Sequence, residues 1–116
     1  MQIVNVKSLG GVRAARKAGA VYCGRGSLLG NPFRIGKEGT REVVIAKFRR
    51  WLWQQLTTAG NRGVQQALDA LREDSVLGCH CSPRPCHCQV IERAWLWWVR
   101  EGRGLYGVKP LTAVTH

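Results

Sequence analysis

Acidic side chains are scarce in this chain. Its 116 residues hold 7 Asp and Glu against 18 Lys and Arg, a formal net charge of +11. The shortage is concentrated at the amino-terminal side, where no acid precedes Glu38 while seven Lys or Arg do. That third of the chain is expected to form a positive surface, which attracts nucleic acid, nucleotides or other phosphorylated ligands without reading a sequence. A long apolar run is also missing, so no segment is expected to span a bilayer, and the start carries no signal-peptide pattern. These two absences lead to the expectation of a cytoplasmic protein with no membrane partner. An even cysteine count is missing too. Five cysteines in a reducing compartment are read as metal ligands, catalytic thiols or small buried side chains rather than disulfides.

The length suits one domain over residues 1–116, with 103–116 read as an irregular tail. Gln2 to Val6 alternates polar and apolar residues and Ala20 to Cys23 is a short apolar run, so both are expected strands. Ser8 to Gly19, rich in glycine and basic residues, fits a loop or a short exposed helix. Thr40 can cap a helix carrying Val44, Phe48, Trp51 and Leu52 on one face and ending near Gly60. Asn61 can cap a second, with Val64, Ala67, Leu68 and Leu71 in register, before Asp74 and Ser75 break the pattern. Ser75 to Cys81 reads as a buried strand. After Pro83 and Pro85, Val90, Ile91, Ala94, Trp95, Trp98 and Val99 mark a third helix that ends around Gly102. The order predicts a small α/β domain with a short, mostly parallel sheet of three to four strands flanked by three helices.

Two segments carry chemistry. The first, Gly24 to Phe33, follows the second expected strand, where ligands of open α/β sheets bind. Its glycines can turn backbone amides toward a phosphate and Arg25 can supply a charged fork, with Gly24, Ser27, Gly30 and Asn31 completing the site. The same residues also make an ordinary turn.

The second segment, Cys79 to Cys88, holds four of the five cysteines and two of the three histidines. As a metal site it offers Cys79, Cys81 and Cys86 with either His87 or Cys88 around zinc, although the spacing differs from common zinc ribbons. As a catalytic site it puts Cys86 at a helix start, where unpaired amides lower a thiol's pKa, with His87 beside it as acid or base. The turn from Ser82 to Pro85 brings the two ends of the segment together, and Arg84 can hold an anion there. As plain packing, Cys79, Cys81 and Cys88 are small buried side chains.

Trp51, Trp95 and Trp98 lie on the apolar stripes and are expected in the core. Trp53 and Trp97 fall off them. With Arg49, Arg50 and Arg93 nearby, they suit base stacking or a homo-oligomer interface.

The stretches Tyr22-Cys23-Gly24-Arg25-Gly26-Ser27-Leu28-Leu29-Gly30-Asn31-Pro32-Phe33 and Cys79-His80-Cys81-Ser82-Pro83-Arg84-Pro85-Cys86-His87 resemble the motifs of a bacterial and phage family, domain of unknown function 4326. The likeness runs from Val4 and Asn5 through Gly39-Thr40-Arg41-Glu42 to the third helix. It implies that Gly24, Arg25, Gly30, Asn31, Pro32, Phe33, Cys79, Cys81, Pro83, Cys86 and His87 stand at motif positions, and it implies no activity. A phage origin would place the protein in the host cytoplasm. After the Cys-His pair the family tends to have a glycine and then an acidic or polar residue; here Cys88 and Gln89 follow, so the resemblance carries no acidic role to that point. A fainter likeness is to domain of unknown function 488, an α/β family with cysteine after a strand and Cys-His at a helix start.

Two functions follow. One is a nucleotide- or phosphosugar-binding pocket between the glycine loop and the Cys86-His87 helix start, with no cofactor assigned and enzymatic activity left open. The other is a nucleic-acid-binding accessory protein whose cysteine cluster is structural, with or without zinc.

Overall fold

The computed structural model describes residues 1–82 and 84–105. Three strands, β1 (Gln2–Asn5), β2 (Val21–Tyr22) and β3 (Val76–Cys79), form a wholly parallel sheet in the order β1-β3-β2. The register pairs Ile3 with Leu77, Asn5 with Cys79 and Tyr22 with Gly78. The last strand in sequence, β3, therefore lies in the middle, paired on both sides, and all three strands point their carboxyl ends one way.

Parallel strands bury both faces, and the alternation along β3 divides its side chains between two clusters. Leu77 and Cys79 join the main core beneath α2 (Arg41–Leu56), α3 (Arg62–Asp69) and α4 (His87–Trp97), with Phe48, Leu52, Leu68 and Ile91. Val76 faces the opposite side, where Val6, Ala15 and Ala20 pack beneath α1 (Val12–Lys17). Gly78 shares that side because nothing larger fits: a Cβ there would lie 2.8 Å from Val6 Cγ1.

The expected α/β class and the helices from Thr40, Asn61 and Pro85 are present, and the strands are shorter than expected. The Ser8–Gly19 segment is resolved into the end of a 3₁₀ turn (Val6–Leu9) and the short helix α1. The Thr40 and Asn61 side chains accept from the Val43 and Val64 amides, as the capping pattern predicts. Helix α2 stops at Leu56 rather than near Gly60, because Thr57 leaves helical geometry with its hydroxyl bonded back to Trp53 O at 2.7 Å. Helix α4 continues through a π turn (Trp98–Gly102) into α5 (Arg103–Leu105), so the start of the expected tail is helical. The remainder of that tail, 106–116, and Pro83 lie outside the described residues. No helix among the described residues is long and apolar enough to cross a membrane.

Of the three tryptophans expected in the core, Trp98 lies within it, while Trp51 and Trp95 are partly buried against it, as the off-stripe Trp97 also is. Trp98 is fully buried with its indole N–H on Asp69 Oδ1 at 2.8 Å, and that oxygen also receives Arg103 Nε at 2.6 Å. Trp95 donates to Leu71 O at 3.0 Å, and Trp51 stacks on Phe48 with centroids 5.7 Å apart.

Candidate ligand pocket and cysteine cluster

A cavity of about 370 Å³ opens at the carboxyl ends of β2 and β3. Its size lies in the range of small-molecule sites, and its place is where open parallel sheets bind ligands. The glycine loop contributes Gly24, Arg25 and Asn31, the turn after β3 contributes His80 and Cys81, and the start of α4 contributes Cys86 and His87. Phe33, Ile35, Val44 and Ile45 give it an apolar wall. Arg34 and Arg41 add two more guanidinium groups, and among the described residues its lining has no carboxylate. The amino termini of α2 and α4 both meet this space, so the positive ends of two helix dipoles reinforce the arginines.

Several residues singled out from the sequence hold the loop's shape instead of facing the cavity. The Ser27 hydroxyl and amide both donate to Gly24 O, at 2.6 and 3.1 Å, and the Gly30 amide donates to Ser27 O at 3.0 Å. These two amides are thus engaged in closing the loop and do not cradle a phosphate. Gly30 must be glycine, since a Cβ there would lie 2.3 Å from Gly24 O. Asn31 reaches both roles: it lines the cavity while its Oδ1 accepts from the Phe33 amide at 2.9 Å and its Nδ2 donates to Val44 O at 3.4 Å. Arg84 is exposed and away from the cavity lining; its amide closes a turn onto Cys81 O at 2.8 Å.

Arg41 occupies the position foreseen for Arg84. As the first residue of α2 it lies at the cavity and donates from Nη1 to Pro85 O at 3.2 Å, joining α2 to the segment that precedes α4. Its sequence signal was its place directly after the Thr40 cap. Asn5, at the end of β1, was also passed over as a site residue. Its Nδ2 donates to His80 O at 3.3 Å and Ser82 O at 3.0 Å, while its Oδ1 accepts from the Lys7 amide at 3.0 Å. It therefore fixes the turn that brings His80 and Cys81 to the cavity.

His87 is 8% exposed and stands edge-on to Phe48. Its Nε2 contacts the Cys23 carbonyl. A carbonyl only accepts, so Nε2 carries the proton and Nδ1 is the free acceptor. Burial, the largest influence, lowers its pKa from the ordinary histidine value, and the ring is held neutral near pH 7.

Cys79, Cys86 and Cys88 gather beneath this wall, with their sulfurs all within 4.8 Å of one another and all three buried. Cys86 Sγ lies 3.7 Å from Cys79 Sγ. Cys86 is also the N-cap of α4, accepting from the Cys88 amide at 3.4 Å, and Cys79 Sγ accepts from the Ser82 amide at 3.4 Å. Donation from the Cys86 and Cys88 thiols holds Cys79 far below the usual thiol range, with backbone N–H groups adding to it and burial opposing it. One contact runs the other way, since Val4 O lies 3.6 Å from Cys79 Sγ; the several donors outweigh that single carbonyl. As the donor, Cys86 is pushed up to about 11. Cys88 is raised as well, first by Cys23, then by Cys79 and Cys86, and by burial.

Such a trio of soft donors can hold a metal ion. Of the expected set, Cys79, Cys81 and Cys86 with either His87 or Cys88, it keeps Cys79 and Cys86, takes Cys88 in place of His87 and leaves out Cys81. Cys81 lies past the end of β3 and faces the cavity, and His87 points toward Cys23, while Cys88 turns inward beside Cys79. The helix-terminal amide expected to activate Cys86 is present, but the neighbouring Cys79 sulfur has the larger influence and raises the Cys86 thiol.

A second, larger groove of about 610 Å³ runs between α2 and α4, lined by Arg49, Arg50, Arg93, Trp53 and Trp97 among others. The Trp53 and Trp97 rings lie 4.6 Å apart at 50°, and Trp53 is 50% exposed.

Parallel strands, a cavity at their carboxyl ends and a Cys-His helix start define a small α/β domain with a candidate ligand site. The chain belongs to the family described as domain of unknown function (DUF4326), whose model matches residues 4–97. That span takes in both the glycine loop and the cysteine segment. Neither the curated proteins nor the solved structures provide a match.

Proposed function

We propose that the cavity binds a phosphorylated small molecule of nucleotide or phosphosugar type. The observation that carries this reading is the lining itself: Arg25, Arg34 and Arg41 surround one opening with no opposing carboxylate among the described residues. Arginine forks suit phosphate oxygens, and the two helix amino termini add to the same field. Phe33, Ile35, Val44 and Ile45 offer apolar surface for the remainder of the ligand, as a base or sugar requires. His87, neutral with Nδ1 unprotonated, is the group available to accept a proton from a bound ligand. Cys86 is a poor nucleophile in the metal-free protein, because its thiol is 2% exposed and hard to ionise. This favours binding, or acid-base chemistry by His87, over thiolate attack.

Calorimetric titration with pyrophosphate and a panel of ribonucleotides tests the reading. Arg41→Gln removes a charged donor worth about 1.5–3 kcal/mol, which weakens binding by about 10- to 150-fold. If no probe binds the wild type, or Arg41→Gln and Arg25→Gln bind as tightly as the wild type, the reading fails.

A second reading rests on the groove between α2 and α4. Two tryptophans beside three arginines suit single-stranded nucleic acid, in which bases stack on aromatic rings and phosphates meet guanidinium groups. Oligonucleotide binding at this face should quench tryptophan fluorescence and weaken steeply with salt. Binding that ignores salt, or survives Trp53→Ala with Arg93→Gln unchanged, removes it.

A further inference from the structure

We propose that Cys79, Cys86 and Cys88 form a binding site for a soft divalent cation, zinc first among them, that pins the end of β3 to the first turn of α4. Three sulfurs from two chain segments converge within 4.8 Å, and all three are buried. Zinc binds thiolate at about 2.3 Å, so two sulfurs on one tetrahedral ion stand about 3.8 Å apart. Cys79 and Cys86 are already 3.7 Å apart.

The hydrogen bonding separates this cluster from plain packing of small side chains. The Ser82 and Cys88 amides point at Cys79 Sγ and Cys86 Sγ, both at 3.4 Å. Backbone N–H donors directed at sulfur stabilise thiolates, and the amino terminus of α4 adds its dipole on the same side. Three buried thiolates would repel one another strongly unless a cation lay between them. Zinc displaces the thiol protons to solvent as it binds and supplies that charge.

The neighbours identify what is outside the site. Cys81 is partly exposed on the cavity wall, and His87 Nε2 is engaged by the Cys23 carbonyl. Cys23 is fully buried with its thiol donating to Val21 O at 3.5 Å, and it is not among the three converging sulfurs. Because Cys86 also lines the cavity, an ion here would set the floor of the pocket. The site stands independently of what the pocket binds.

The test is zinc titration of the reduced full-length chain against a chelating dye, with elemental analysis of the protein as purified and cobalt substitution as a spectroscopic readout. The expected result is about one tightly held ion per chain, with thiolate-to-cobalt charge-transfer absorption. Cys88→Ala should lose the ion and Cys81→Ala should keep it. Free-thiol counting on the wild type covers the case in which Cys88→Ala does not fold: Cys79, Cys86 and Cys88 should be protected by zinc and released by a chelator. No zinc binding by the wild type, protection that a chelator does not relieve, or equal loss in Cys81→Ala and Cys88→Ala would overturn the proposal.

Discussion

Asn5→Asp is nearly isosteric and inverts the function of the one amide that holds the turn after β3. In the native protein Asn5 Nδ2 serves two carbonyls, His80 O at 3.3 Å and Ser82 O at 3.0 Å, and Oδ1 receives the Lys7 amide. The substitution keeps the Lys7 contact and loses both donations, each worth about 0.5–1.5 kcal/mol. It also sets an anionic oxygen against two carbonyl oxygens, which brings the expected cost to about 2–4 kcal/mol at pH 7. For a chain of this length that lowers the Tm by roughly 8–15 °C. Asn5→Ala loses all three bonds without the repulsion, and water reaches the vacated carbonyls, so it should cost less. The pH dependence has a definite sign. The facing carbonyls raise the introduced carboxyl's pKa above its unfolded value, so the folded state binds the proton more readily and the deficit shrinks as pH falls. Once protonated, the group can donate to one carbonyl again. Urea and thermal unfolding at pH 7 and at about pH 4.5, near the ordinary carboxyl range, measure this. A deficit of less than about 0.5 kcal/mol, a smaller effect than Asn5→Ala, or a deficit that grows on acidification would refute the reasoning.

Gly30→Ala should force the loop open, because its Cβ would lie 2.3 Å from Gly24 O; a cost of about 1–3 kcal/mol in urea unfolding and loss of pyrophosphate binding are expected together. Trp98→Phe removes the bond to Asp69 and leaves a gap in a fully buried position, and calorimetry should show a loss of about 2–4 kcal/mol. Asp69→Asn, by contrast, weakens an ion pair whose side chains are 35% and 23% exposed, and keeps an oxygen for the Trp98 N–H, so its deficit should stay near 1 kcal/mol.

The features legible in the sequence were those decided locally. The Thr40 and Asn61 caps lie next to their helices, and the apolar stripes through Phe48, Leu68 and Ile91 describe faces that pack as the 3.6-residue period requires. The glycine loop and the Cys-His helix start both line one cavity, because both follow strands that run the same way. What depended on three-dimensional meeting was not legible. Cys79 and Cys81 share a face only while the chain stays extended; β3 ends at Cys79, and the bend at His80 sends Cys81 to the cavity instead. The choice between His87 and Cys88 as the partner of Cys79 was left open by the spacing; Cys88, two residues past the N-cap, turns in toward β3 because α4 packs there. Arg34 follows directly on the glycine-loop segment and was passed over, while Arg41 reaches the pocket from the start of α2, whose docking beside α4 the sequence does not reveal. The Cys86 thiol shows the same limit: its helix-terminal amide was foreseeable, while the adjacent Cys79 sulfur, which reverses the outcome, is a neighbour only in the fold.

The most direct test of the central claim is a titration of isotope-labelled protein with pyrophosphate, followed by amide and arginine side-chain resonances. Saturable shifts are expected at Gly24, Arg25, Asn31, Arg34, Arg41 and His80, with Trp53 and Trp97 unmoved. An absence of saturable change at the three arginines, or shifts confined to the groove between α2 and α4, would contradict it.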